Sequence, residues 1–366
     1  MLSTARRLTL GAAVALVVSG CAGGLTSGPG ASSPGDVASA SPASTGSVWV
    51  ADEGGDSLTV LDGATGGALA TLTGITEPHN VQAASDGDGV WAVSGGDQVV
   101  ALSASSLEVT ALGQTDEQPA HVVADGAGRV YVSSSAQPSV YAYDARLRPV
   151  TRMALDGAPH GMRLSADGRT AVVANTGSGT VDVLDTRSGT LRVSIPVGPG
   201  PVQVAVSEDG AVAYVSLAGP SEVARVDVAL ATVTHRVKVP HPPAQVLLTG
   251  SGVLLSADQG TPDVPGSTVT VIDPAAMTIQ GQLDVGSGPH GLTSDPAGER
   301  AWVTNAFDDT VSELDLGAMT VVRTVPVGHR PGGISYSQVA PSPSGTVALD
   351  LPAREDREGG GGSHDH

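Results

Sequence analysis

From residue 48 to residue 337 the chain is written in short runs of alternating apolar and polar positions, interrupted every few residues by Gly, Pro, Asp or Asn. A period of two over five to seven residues specifies a half-buried β-strand, and the interrupting residues are turn formers. The pattern repeats. An apolar run recurs around Trp49, Trp91, Tyr131, Val172, Tyr214, Leu255 and Trp302, at spacings of 42, 40, 41, 42, 41 and 47 residues. Each is followed by a second alternating run, such as LTVLD ending at Asp62 or TVDVLD ending at Asp185, and then by a tight turn into a third, such as LRVSIPVG at 191–198. A fourth run opens near a proline, as in PHGMRLSADG at 159–168 and PHGLTSDPAG at 289–298. Four strands in about 41 residues, seven times over, specify an all-β, seven-bladed β-propeller.

The phase of the repeat says how the ring closes. The chain enters on the second strand of a blade, at 48–51, and its last proline-led strand is PGGISYS at 331–337, so this strand is expected to complete the first blade and remove the free edges. The run at 347–351 is left over: it could be an added strand, and it keeps an eight-bladed ring as an alternative. The expected organisation is a leader at 1–20, an anchor and linker at 21–47, the propeller at 48–337, and an extension with a His-containing tail at 338–366. The insertion behind the 47-residue spacing, QGTPDVPGS at 259–267, joins a second strand to a third and is expected on the face that carries the proline-led strand starts.

The units VVANTGSGTVDVLDTRSGTLRVSIPVGPGP and AWVTNAFDDTVSELDLGAMTVVRTVPVGHRP resemble the YVTN-type propeller repeats of bacterial surface and periplasmic proteins over residues 48–337. Ser134 stands where Asn175 and Asn305 carry the motif asparagine, so the third copy departs from the pattern. The resemblance implies the scaffold; functions on such scaffolds are diverse.

Composition narrows the chemistry. Lys and Arg number 18 against 37 Asp and Glu, a net charge of −19, which argues against nucleic acid as a partner because phosphate binding draws on basic side chains. Nine aromatic residues leave little for base-stacking platforms. Gly-x-Ser-x-Gly, Gly-x-x-x-x-Gly-Lys-Ser and His-Glu-x-x-His are absent, and one cysteine cannot form an intramolecular disulfide.

Recurrent polar residues divide into turn formers and candidates for chemistry. Six second runs end in Asp (62, 144, 185, 227, 273, 315), where the carboxylate is expected to bond the following turn. Asp52, Asn175, Asp258 and Asn305 end first runs and are read as turn formers as well. Histidine is different. His79, His121, His160 and His290 lie one or two residues after the proline that opens an innermost strand, and His241 and His329 lie just before such a proline. Counting back from the glycine of the following turn puts His160 and His290 in one slot and Gln82, His121, Gln203 and Gln245 in the next. Turns carrying Asp52, Glu53, Asp56, Asp97, Asp258, Asp263, Asp308 and Asp309 open on the same face. Imidazole with carboxylate suits Zn²⁺ or Cu²⁺, so His79, His121, His160 and His290 are the candidate metal ligands. The tail, His364-Asp365-His366, offers a second, unorganised pair. The alternatives are an envelope scaffold binding a partner protein without a small ligand, and an enzyme related to propeller lactonases or lyases; no residue is singled out as catalytic.

The first twenty residues carry Arg6 and Arg7, an apolar stretch from Leu8 to Val18, and Val18-Ser19-Gly20-Cys21, which resembles a lipoprotein leader cut before a lipid-carrying cysteine. Residues 22–47 are almost wholly Ala, Gly, Ser, Thr and Pro, the composition of a tether. The expected protein is a monomer held to the outer face of a cell membrane through Cys21. Replacing Cys21→Ser is therefore expected to release the protein or leave it unprocessed. Fractionation and mass spectrometry check this, and recovery of the unaltered protein wholly in the extracellular soluble fraction would contradict it.

Overall fold

The structure, a computed structural model, describes residues 45–84 and 87–352. Cys21, the leader, most of the linker and the tail histidines lie outside these residues. The described chain forms seven antiparallel sheets in a closed β-propeller. Blade 1 is built from both ends of the chain: Pro331–Ser337 pairs with Ser47–Asp52, which leads outward to Ser57–Asp62 and Ala68–Thr73. Blades 2 to 7 are four-stranded and follow in chain order, spanning 81–114, 119–154, 159–196, 201–238, 246–284 and 289–326. The count of seven holds. The leftover run forms Gly345–Ala348, a fifth strand added parallel to the outer edge of blade 1. It extends the sheet because no further set of strands is available to make another blade.

Burial explains why each run takes its place. Second strands such as Ser47–Asp52 and Arg300–Asn305 are buried along their whole length, since both faces meet neighbouring blades. Outer strands such as Thr320–Pro326 alternate, with one face toward solvent. The proline-led strands touch one another around the ring and line the central channel. Apolar side chains form a cluster at every blade interface, for example Val172, Val181 and Ile195 of blade 4 with Val204, Val215 and Leu217 of blade 5. The closing interface is made by Val48, Val50 and Leu61 with Trp302, Val311 and Ile334.

The six strand-end aspartates act as expected. Asp185 Oδ1 accepts from the amides of Arg187 and Ser188 at 3.0 and 2.8 Å, and Asp62, Asp144, Asp227, Asp273 and Asp315 make equivalent turn bonds. These turns demand a left-handed residue. Gly189 supplies φ +69°, whereas Met277 and Met319 adopt 52° and 54° at the same place.

Asp52, Asn175 and Asp258 are turn formers buried in the protein, which makes them chemically unusual. Asp52 accepts from Ser57, Thr59 and the Gly328 amide, and Asn175 bonds the Ala158 amide, so both pin the connection that leads into an innermost strand. Burial pushes the Asp52 carboxyl up to about 6 and the Asp258 carboxyl up to about 7, against hydrogen bonds from Ser and Thr hydroxyls that favour the charged form. The insertion lengthens the hairpin Leu254–Gly260 and Pro265–Asp273, and Gly260 donates to Pro242 O, placing it at the proline-led end of blade 6 as expected.

Removing residues 331–366 takes away the closing strand and Ile334 and leaves the edge of Ser47–Asp52 unpaired. Each large apolar side chain returned to water costs about 1.5 to 3 kcal/mol, and a domain of this kind has about 5 to 15 kcal/mol to lose. The truncated protein is expected to lose its cooperative thermal transition, and one melting like the full chain would contradict this closure. Asp258 gives a second expectation. Its carboxyl is harder to ionise folded than unfolded, so stability present near pH 4 is lost as pH rises through about 7. Asp258→Asn should stabilise the protein at pH 8, by on the order of 2 to 4 kcal/mol, and leave it nearly unchanged at pH 4, as urea unfolding at the two pH values would show.

Candidate metal centre

Three consecutive blades deliver one histidine each to the channel mouth. His160 is the second residue of Pro159–Leu164, His121 the third of Pro119–Ala124, and His79 precedes Val81–Ala83. The strands bulge just after the proline, between Pro159 and Met162 in blade 4, and successive side chains there leave ordinary alternation. This lets residues one and two places after a proline both face the channel.

Pairing with the second strands corrects the slots. Val81, Val122, Met162 and Val204 occupy equivalent places against Ala92, Val132, Val173 and Val215. His79 therefore shares the slot of His160 and His290, and Asn80, not Gln82, stands level with His121, Gln203 and Gln245. Gln82 is two residues deeper, level with Arg163. The count from the following glycine slips in blade 2 because two glycines follow its innermost strand: Gly87, six residues after Val81, matches Gly168 six residues after Met162, whereas Gly89 lies two residues further on.

The imidazoles of His79, His121 and His160 meet. Their ring centroids lie 5.6 Å (His79–His121), 5.3 Å (His79–His160) and 4.9 Å (His121–His160) apart, all edge to face. One ligand nitrogen from each falls within 4.8 Å of the other two, a His-only cluster able to coordinate a metal ion on the propeller face. His290, from blade 7, stands 6.1 Å from His79 between ring centroids and is outside this set of three. His241 lies at the entrance of blade 6 with a buried, unbonded Nδ1, and His329 is exposed and bonded to Asp309 at 3.1 Å; neither joins the cluster.

Each ring is held from behind. Glu53, in the first turn of blade 1, accepts from His79 Nδ1 at 3.1 Å and so leaves the lone pair on Nε2, which is buried without a hydrogen-bond partner. His160 Nδ1 donates to Val202 O at 3.0 Å, which likewise sets its tautomer. Gln203 Nε2 approaches His121 Nδ1 at 3.3 Å, while Gln203 Oε1 accepts from the Val204 amide. Gly161 makes this reach possible, since a Cβ there would lie 2.3 Å from Gln203 Oε1. The backbone is clamped as well: Ser133 Oγ accepts from the His121 amide and donates to His160 O, and Ser216 and Thr304 make the same bridge at other interfaces.

Of the carboxylates expected on this face, Glu53 alone among the described residues bonds the histidine cluster. Asp56 accepts from the Glu77 amide, Asp97 from Gln114, and Asp308 from the Ser287 amide.

Electrostatics make the three rings unequal. Burial, followed by the neighbouring His160 and His79, holds His121 well below its ordinary value. Burial and His79 bring His290 down to about 4. His79 is desolvated too, yet its bond and attraction to Glu53 prevail and raise it, while Glu53, despite burial, falls to about 2. At neutral pH His121 is free of competition from protons, and His79 is where a metal ion and a proton compete.

Tetrahedral nitrogen ligands at about 2.0 to 2.1 Å from an ion stand roughly 3.3 to 3.5 Å from one another, so nitrogens within 4.8 Å would have to draw together by up to about 1.4 Å. The donor set fits: three imidazoles, one backed by a carboxylate and one by a backbone carbonyl, with His79 Nε2 buried and without a hydrogen-bond partner. The second-strand hydroxyls and Arg163 were not singled out in the sequence. A Ser or Thr at one place in the second strand recurs at 133, 216 and 304, and Arg163 is the one cation within the innermost strands; both signals were present.

No protein-family model matches the chain, and no curated protein matches it. Solved structures do. The chain is similar to Kuenenia stuttgartiensis hydrazine synthase (22% identity, TM-score 0.65, covering 72% of this chain and 90% of that one). It is also similar to a functionally unknown protein from Desulfotomaculum acetoxidans (14% identity, TM-score 0.69, 81% and 100% covered). A third is a putative 6-phosphogluconolactonase from Bacteroides fragilis (14% identity, TM-score 0.67, 81% and 99% covered). At these identities the likeness shows the propeller fold alone.

Proposed function

We propose that this protein is an exported, lipid-anchored binding protein of YVTN-like type that holds one divalent ion, Zn²⁺ or Cu²⁺, on His79, His121 and His160, with His290 close enough to His79 to shape the site. The observation that carries the reading is the convergence of three imidazole nitrogens within 4.8 Å, drawn from three separate blades. A metal centre with three protein nitrogens keeps a position open for exchange, which suits capture and release outside the cell better than permanent structural binding. Lipid at Cys21 and the tether of residues 22–47 would hold the propeller near the membrane, where such an ion enters or leaves.

The residues of this chain divide the work. His121 presents a neutral ring, His160 is oriented by Val202 O, and Glu53 orients His79 and raises its basicity, which strengthens it as a ligand once its proton has gone. The ion supplies positive charge and an open coordination position.

Titration of Zn²⁺ and Cu²⁺ into protein lacking residues 364–366, followed by calorimetry and elemental analysis, tests the reading. One ion per chain is expected, lost in His121→Ala and His160→Ala. Binding that disappears only when the tail is removed would move the ion to the tail. Glu53→Gln is expected to weaken binding about 10- to 100-fold at neutral pH. It should also change the pH profile. In the unaltered protein His79 binds its proton more tightly than a free imidazole, so affinity falls as pH drops and begins to do so above pH 6.5. Without the carboxylate this onset should move to lower pH, and an unmoved profile would remove Glu53 from the centre.

A further inference from the structure

The strands that bring the histidines together run through the channel and end at its other mouth. There the ends of the innermost strands of blades 2, 3 and 4 enclose a cavity of about 280 Å³, lined among others by Gln82, Trp91, Asp125, Arg163 and Ser165. Its size is at the lower end of small-molecule sites, which suits a single-ring molecule rather than a nucleotide.

Arg163 is the one arginine within the innermost strands of the described residues, and it is partly exposed to the cavity. Arg148, Arg152, Arg192, Arg236, Arg300 and Arg323 each pair with a carboxylate. Arg163, in a chain where acids outnumber bases two to one, donates from Nη1 to Met162 O at 2.9 Å and has no carboxylate partner among the described residues. A guanidinium carries five N–H donors in a plane, and holding one away from water without a counter-charge is costly. Desolvation here is strong enough to bring this group down to about 10. Asp125, in the same wall, does not turn to it: its Oδ1 accepts from the amides of Ala127 and Arg129, both at 2.9 Å.

The second feature is an indole. Trp49 and Trp302 are buried at 0% and 3% exposure, whereas Trp91 is only half-buried and borders the cavity. Its ring lies across Gly89, where a Cβ would come within 2.7 Å of Cη2. A planar apolar surface and a planar cation with no carboxylate partner among the described residues therefore share one small cavity.

We infer that this mouth is a second binding site, for a small flat organic carboxylate whose oxygens pair with Arg163 and whose body lies against Trp91. Pairing supplies the missing counter-charge in the two-pronged geometry that guanidinium favours, and the indole supplies an apolar wall. The site does not depend on the metal reading, because none of its lining residues is a candidate ligand.

Benzoate is the probe, with benzamide as its neutral isostere and inorganic phosphate as an oxyanion without a ring, all at fixed ionic strength. Trp91 is the least buried tryptophan and serves as the fluorescence reporter. Benzoate is expected to change the emission saturably, with benzamide and Arg163→Gln protein each at least tenfold weaker and phosphate weaker than benzoate but competing with it. The result should be the same with and without added Zn²⁺, and in His160→Ala protein, so failure of the metal reading leaves it standing. Equal binding of benzamide and benzoate, no saturation, or unchanged binding by Arg163→Gln would overturn the site. Phosphate binding as tightly as benzoate would overturn the role of Trp91. Should Arg163→Gln fail to fold, the benzoate and benzamide comparison on unaltered protein decides the matter.

Discussion

Everything at the channel depends on the pairing of Pro331–Ser337 with Ser47–Asp52. A propeller blade buries its faces only against its neighbours, so an open ring would leave two interfaces wet and one strand edge bare. Closure joins chain segments almost three hundred residues apart and sets the curvature that points seven strand starts at a common axis. The histidines come from blades 2, 3 and 4, yet the carboxylate that orients His79 comes from blade 1, whose innermost strand is the last of the ring. Gly54 donates to His329 O and Glu53 to Arg330 O, so the turn that carries Glu53 is itself fastened to the closing segment.

Within that frame, small hydroxyls supply the precision. Ser133 links the backbone of His121 to that of His160 across a blade interface, where two candidate ligands approach most closely, with ring centroids 4.9 Å apart. Apolar clusters bring blades together without fixing their register to a fraction of an ångström, because dispersion and the hydrophobic effect have little direction. Hydrogen bonds have direction, and buried ones are costly to leave unmade. The same bridge at Ser216 and Thr304, where no metal cluster forms, marks it as a device of the scaffold that the metal centre makes use of.

The two mouths of the channel differ in charge logic. At one, Glu53 is the single counter-charge bonded to the histidine cluster among the described residues, and burial lowers His121 and His290 while Glu53 raises His79. At the other, Arg163 has no carboxylate partner among the described residues. The same three strands carry both, so one mouth is arranged to receive a cation and the other an anion, with the apolar side chains of Val81, Val122 and Met162 packed between blades in the intervening length.

Local pattern was enough to specify the strands, the seven-fold repeat, the turn aspartates and the strand that closes the ring, because these follow from side-chain alternation and from turn chemistry within a few residues. It also brought His79, His121, His160 and His290 to one mouth, since a repeat maps equal positions to equal places. Local pattern could not decide which of them meet. That depends on the bulge after each proline, on Gly161 making room for Gln203, and on the direction from which neighbouring blades approach, all of which are distances between segments far apart in the chain. The slot of Gln82 differs because Gly87 and Gly89 both follow the innermost strand of blade 2 and a count along the sequence cannot choose between them, whereas pairing between strands can. The fifth strand on blade 1 and the solitary position of Arg163 belong to the tertiary structure for the same reason: whether an edge is covered or a charge has a partner is settled by what lies opposite in space.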